Sequence, residues 1–199
     1  MAAYRINFLI IVNQYNKQHF MATPNYELTE RVTDQSIDYL FISKGKNDVI
    51  KVIQYLYFTE LYGKSIFNLG FGDYDINKDE IDDAANTHNG DVYKVLNTVL
   101  TTIPKFFETF HGAMLMVQGS DSKTEFTERC KLTCKKSCTS YCKNQHRRIS
   151  VYTYYVNKNF ETLNKGYTFF GGVEDDNRAI RLEPYIPHKK YGSVFVMKK

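Results

Sequence analysis

The sequence predicts an α+β fold: a mostly antiparallel sheet of about six strands, arranged as a meander, with two main helices packed on it. Two patterns and the composition predict it. From Tyr26 onward, runs rich in β-branched and aromatic residues alternate with short polar turns. From Val92 to Phe110, apolar residues recur at i, i+3, i+4 and i+7. A hydrophobic content of 43% with 15% aromatic residues excludes a disordered chain, and 199 residues are enough to bury a sizeable core.

Residues 1–24 read as an N-terminal extension, with Ile6–Val12 as a candidate strand and Pro24 closing it. Residues 25–199 read as a single domain. YELTERV is a weakly alternating strand, IDYLFIS (37–43) a second and VIKVIQYLYF (49–58) a third, with KGKND as a turn and ELYGK as a loop. SIFNLGFGDYD (65–75) is a strand whose Gly70 and Gly72 predict a bulge or a close backbone approach, and EIDDA is a short return strand. The helix over 92–110 opens at Asn89-Gly90-Asp91, where Asn89 or Asp91 can cap it. Pro104 lacks an N–H and crowds the Leu100 carbonyl, which predicts a kink or two abutting helices. AMLMVQG (113–119) reads as a buried strand, Arg147 to Lys165 as the second helix, and YTFFGG and SVFVMKK as the closing strands.

Charge is uneven. Residues 123–148 hold eight Lys/Arg and two acids, +6, so the rest of the chain carries −2 within the overall +4. The bulk of the domain therefore shows no nucleic-acid footprint, whereas 123–148 is basic enough to be one. No apolar run approaches the ~18 residues of a membrane helix. No signal peptide is read, so the expected compartment is the cytoplasm, where cysteines stay reduced.

The order FNLGFGDYD, EIDD, NGDVYKVLNTVLTTI, AMLMVQGS, RRISVY and YGSVFVMKK resembles a family of small bacterial proteins known only as a domain of unknown function. The resemblance runs from about Tyr26 to Lys199. In that family the strand ending in Gly-Ser leads within a few residues to a helix of the form Arg-x-x-x-Tyr. Here Gly119-Ser120 stands, but the matching helix start looks like Arg147 to Tyr152, so 123–146 looks like an insertion. The resemblance implies a fold and no activity. The order of elements is loosely similar to acetyltransferase-like folds, but no Gly-rich acyl-CoA pyrophosphate loop is present.

Three candidate sites follow. The insertion holds Cys130, Cys134, Cys138 and Cys142, every fourth residue, with His146 continuing the spacing. On one straight helix Cys130 and Cys142 would stand ~18 Å apart, too far to share an ion. Three readings stay open: a solvated basic insertion, a zinc site if the segment folds back or pairs with another chain, and disulfides if it forms a helical hairpin or is exported. Zinc is the one cofactor the sequence points to. The acidic run Asp73 to Asp83 is not a calcium loop, because Lys78 stands where Gly is needed and Ala84 where a bidentate Glu is needed. It reads as a solvated hairpin. The third site is an anion-binding crevice formed by Gly119, Ser120, Arg147, Arg148 and Tyr152 with Asn89, Gly90 and Asp91, since helix N-termini and guanidinium forks suit anions.

No complete catalytic constellation is found, and the five histidines form no triad pattern. The expected function is that of a non-catalytic binding domain whose crevice takes a small anionic ligand or a protein. The alternatives are an acetyltransferase-like or nucleotide-dependent group-transfer enzyme, and nucleic-acid or zinc binding through the basic insertion.

Overall fold

The computed structural model of the chain describes residues 25–82, 89–122, 124–134, 136, 138–139, 141–174 and 179–199. The extension 1–24 with its candidate strand, and the far end of EIDDA, lie outside them. The chain divides after Ala113 into two compact units. The fold is α+β and mostly antiparallel, with nine strands and three α-helices among the described residues.

The first unit is a meander. Strands β1 (Thr29–Val32), β2 (Ser36–Ser43), β3 (Val49–Leu61), β4 (Lys64–Asp75) and β5 (Glu80–Asp82) pair antiparallel in sequence order. β3 is longer than expected. It continues into the anticipated ELYGK loop as far as Leu61; Tyr62 (φ 52°) and Gly63 (φ 69°) of that loop make a two-residue reversal, and β4 begins at once at Lys64. The register irregularity lies between Tyr57 and Thr59 of β3, not at the glycines of β4. Gly72 answers to the close-approach reading, because a Cβ there would stand 2.6 Å from the Asp82 carbonyl oxygen.

Helix α1 (Val92–Thr109) covers one face of this sheet. Tyr55 stacks on Phe106 with ring centres 4.7 Å apart, Phe67 meets Phe106 at 5.2 Å, and Phe67 meets Phe110 at 4.3 Å. Ile37, Tyr39, Ile53, Tyr55, Phe106 and Phe107 are each at most 1% exposed, which makes this contact the core of the unit. Buried within it, the Tyr55 and Thr102 hydroxyls share a 2.7 Å hydrogen bond. Pro104 breaks no element: α1 is one helix rather than two abutting ones. The rings that follow Pro104 bury deeply enough to hold the last turns against the loss of one backbone bond.

The second unit holds β6 (Met114–Gln118), α2 (Thr124–Thr133), α3 (Arg147–Gly166), β7 (Tyr167–Glu174), β8 (Ile180–Pro184) and β9 (Ser193–Lys198). The last strand is internal: β9 pairs β6 on one side and β7 on the other, and β8 pairs the outer edge of β7. Its core gathers Met114–Met116, Ile149, Val156, Phe169, Tyr185, Tyr191 and Val194–Val196. Helix α2 and strand β8 are the two elements the sequence patterns did not announce.

Candidate functional site

Alternation along the first three strands aims one row of side chains away from α1. Arg31 pairs with Asp38, Asp38 with Gln54, and Gln54 with Gly70, so these positions form a line across the sheet on a single face. The β4–β5 hairpin adds Tyr74, Asp79 and Ile81 beside them, and together they line a cavity of about 290 Å³. Val52, fully buried, belongs to the same face, and the Thr33–Ser36 turn closes the rim. We refer to this cavity as the polar cup.

Its chemistry centres on Asp38, which is 1% exposed. One carboxylate oxygen, Oδ2, accepts from Arg31 Nε at 3.1 Å and Arg31 Nη2 at 2.7 Å. The other, Oδ1, is buried with no hydrogen-bond partner among the described residues. Arg31 also donates from Nη1 to the Tyr74 hydroxyl at 3.2 Å and lies 3.5 Å from Asp79 Oδ1, while its guanidinium sits 5.5 Å above the Tyr74 ring. The Tyr74 hydroxyl donates to Asp79 Oδ1. Hydrogen bonds from Arg31 to Asp38, and then to Tyr74, raise the guanidinium further above its ordinary value. Asp79 is held below the usual carboxylate range, first by the Tyr74 hydroxyl and then by Arg31. Two carboxylates against one guanidinium leave the cup with a charge of about −1.

The residues of the expected anion crevice fall in different units. In the first, Asn89 and Asp91 do not cap α1 with their side chains. Asp91 Oδ2 instead accepts from the Tyr26 and Ser43 hydroxyls, each at 2.7 Å. Burial alone would raise the Asp91 carboxyl; the Ser43 and Tyr26 donors outweigh it and hold the group low. Asn89 Nδ2 donates to Ser43 Oγ at 3.0 Å and to the Asn47 carbonyl at 2.8 Å. Gly90 has φ 74°. Through Asn89 and Asp91 this trio latches the start of α1 to the end of β2 and the turn between β2 and β3.

In the second unit, Gly119, Ser120 and the start of α3 do come together, around a residue the sequence reading passed over. Asp121, 5% exposed, accepts from the Arg148 backbone N–H through Oδ2 at 3.0 Å, and its carbonyl accepts from the His146 N–H at 3.2 Å. Arg148 Nη1 donates to Ser120 Oγ. A Cβ on Gly119 would lie 2.6 Å from Asp121 Oδ1, so only glycine leaves room for this carboxylate. The helix N-terminus thus faces a negative charge supplied by the chain itself. Arg147 and Tyr152 are on the exposed side of α3.

The cysteines do not share one helix. Cys130 lies on α2, and Cys134, Cys138 and Cys142 lie beyond its end. All four are free thiols, with Cys142 buried. The Cys134 and Cys138 sulfurs are 3.6 Å apart. Asn144 Nδ2 donates to Cys130 Sγ at 3.4 Å and to Cys134 Sγ at 3.8 Å, and the Lys143 backbone N–H donates to Cys138 Sγ at 3.3 Å. His146 is in the left-handed region, φ 59°, at the start of α3. Among the described residues, no three His, Cys, Asp or Glu side chains are gathered as a metal-ion site.

The model of a family of unknown function, DUF6934, matches residues 22–132 of this chain. The chain belongs to this family. The DUF6934 match contains the whole polar cup, the Asn89–Asp91 latch, α1, β6 and Asp121, and it ends between Cys130 and Cys134. Residues 133–199, with α3 and the later strands, lie beyond it. Comparison with curated proteins and with solved structures gives no match. No helix among the described residues is long and apolar enough to cross a membrane.

Proposed function

We propose that the chain is a non-catalytic binding module and that the polar cup is its ligand seat. One observation carries the reading: a buried carboxylate, Asp38, has an oxygen without a partner among the described residues and lines a cavity of about 290 Å³. A buried acceptor without a donor costs about 1–3 kcal/mol, a cost that a bound donor would offset. The volume suits a molecule of amino-acid size, at the small end of ligand pockets. The residual charge of about −1 favours a ligand carrying an ammonium group, with N–H donors for Asp38 and Asp79 and an acceptor for the outward edge of Arg31. The cup holds no Ser, Cys or His set as a nucleophile beside a base, which supports binding over catalysis. Asp121 Oδ1 at the start of α3 is likewise buried without a partner among the described residues, so it is the cavity against Asp38 that favours the cup.

The test is binding of amino acids and aliphatic diamines, read by chemical-shift perturbation at Arg31, Asp38 and Tyr74. One charge-assisted bond is worth about 1.5–3 kcal/mol, so Asp38→Asn should weaken binding about ten- to a hundredfold. Asp75→Asn, which is outside the cup, should leave it unchanged. Shifts confined to the start of α3, or equal affinity in Asp38→Asn, would sink the reading.

A further inference from the structure

The cysteines belong to none of the preceding chemistry, and they are not four equivalent surface thiols. Cys134 and Cys138 face each other at 3.6 Å, in van der Waals contact. A small rotation about each Cα–Cβ bond separates that contact from a covalent bond of ~2.05 Å. Both are partly exposed, so a small oxidant can reach them. Each has a donor aimed at its sulfur: the Asn144 amide and the Lys136 backbone N–H for Cys134, and the Lys143 backbone N–H for Cys138. At Cys134 such donors favour the thiolate, which is the reactive form.

We propose that Cys134 and Cys138 are a reversible oxidation site that closes to an intramolecular disulfide on reaction with a low-molecular-weight disulfide such as oxidised glutathione. In the first step the Cys134 thiolate attacks one sulfur of the oxidant. A mixed disulfide forms and one equivalent of small thiolate leaves. In the second step the Cys138 thiolate attacks the Cys134 sulfur, the Cys134–Cys138 bond forms and the second small thiolate leaves. The protein is oxidised by two electrons and the small disulfide is reduced to two thiols, which take up the two cysteine protons. The backbone N–H of Lys136, followed by the Cys138 thiol, lowers the Cys134 thiol from its ordinary value. Cys130 is raised: the Asn144 amide lowers it, but burial and the Cys142 and Cys134 thiols together outweigh that. With two donors at its sulfur against one at Cys138, Cys134 is the first attacker. The loop that closes is short, so the bond fixes the local path of the basic segment around Lys136 and Lys143 more than it stabilises the whole chain.

The full chain is reduced, freed of metal, exposed to oxidised glutathione and mapped by tandem mass spectrometry. The expected product has lost two hydrogens, carries its single bond between 134 and 138, and returns to the dithiol with dithiothreitol. Cys138→Ser should stop at a glutathione adduct on Cys134. The Cys130→Ser/Cys142→Ser double variant should still close the bond, which separates the pair from the rest of the cluster. Two outcomes overturn the proposal. One is a bond mapped to Cys130 and Cys142 with 134 and 138 still open to alkylation. The other is uptake of one zinc ion per reduced chain that protects all four thiols from alkylation.

Discussion

Gly70 and Gly72 are two residues apart in the motif GFG, and the structure assigns them opposite responses to the same substitution. At Gly72 a Cβ would stand 2.6 Å from the Asp82 carbonyl oxygen, 2.7 Å from Ile81 Cγ2 and 2.9 Å from the Asp82 carbonyl carbon. Relief to an ordinary contact needs a retreat of roughly 0.5–1 Å, and two of the three obstacles are backbone, which cannot rotate aside. β5 is held to β4 by only three register pairs, so the hairpin would yield first. Overpacking of this kind costs about 1–3 kcal/mol. At Gly70 the nearest atoms are 3.9 and 4.0 Å away, both on Gln54, and the backbone is not in the left-handed region. Alanine there restricts the unfolded chain and should add about 0.4–1 kcal/mol. The two variants should therefore differ by about 1.4–4 kcal/mol, or about 0.7–2 M in urea midpoint for a slope of about 2 kcal/mol/M. Equilibrium urea unfolding followed by far-ultraviolet circular dichroism reads the difference. Equal midpoints, or Gly72→Ala above the parent chain, would refute the steric reasoning. The perturbation also bears on the cup: Tyr74, Asp79 and Ile81 ride on the displaced hairpin, so Gly72→Ala should weaken binding there and Gly70→Ala much less.

Phe106→Ala removes a ring that is 0% exposed and touches Tyr55, Phe67, Phe107 and Phe110, and should destabilise the chain by about 3–5 kcal/mol; a loss below about 1 kcal/mol in the same urea assay would show that α1 does not carry the core. Asp91 is held low when folded, so its contribution to stability is complete above its unfolded pKa and fades as the pH falls through the folded value. Ser43→Ala deletes one of its donors and should move the Asp91 carboxyl titration, followed by NMR, upward toward the ordinary range; an unmoved midpoint would mean that the Ser43 contact does not set it.

The parts of the fold that sequence made legible are those with local periodicity. α1 announces itself through Val95, Val99, Phe106 and Phe110, and β2 and β3 through dense β-branched and aromatic runs. β8 does not, because Ile180–Pro184 is only five residues long and ends in a proline that only an outer strand tolerates. The β3–β4 reversal was legible as the ELYGK loop, but its tightness was not, because Tyr62 occupies a positive-φ position where Asn or Gly would have signalled a two-residue turn. The polar cup was illegible for a different reason. Residues 31, 38, 54, 74 and 79 meet only through strand register, which no local window contains. A signal did exist: Asp38 is the one charged residue of β2, and Gln54 interrupts the apolar and aromatic run from Val52 to Phe58 of β3. Asp121 likewise stood directly after Gly119-Ser120, close enough to the expected helix start to be its counter-charge.

The placement of β9 between β6 and β7 fixes the order in which the protein can be finished during synthesis. The first unit pairs each strand with its neighbour in sequence and has its helix in hand by Thr109, so it can assemble while the remainder is still being translated. The second unit cannot close in the same way. β6 waits with a bare edge for partners some 75 residues downstream, at Ser193–Val196. Until Lys198 has left the ribosome, β6 and β7 both present unpaired backbone and the apolar faces of MLMVQ and YTFFGGVE. A nascent chain that has exposed β7 but not yet Ser193–Lys198 would thus carry a finished first unit and an adhesive second one, which makes that interval the point at which a chaperone has the most to protect.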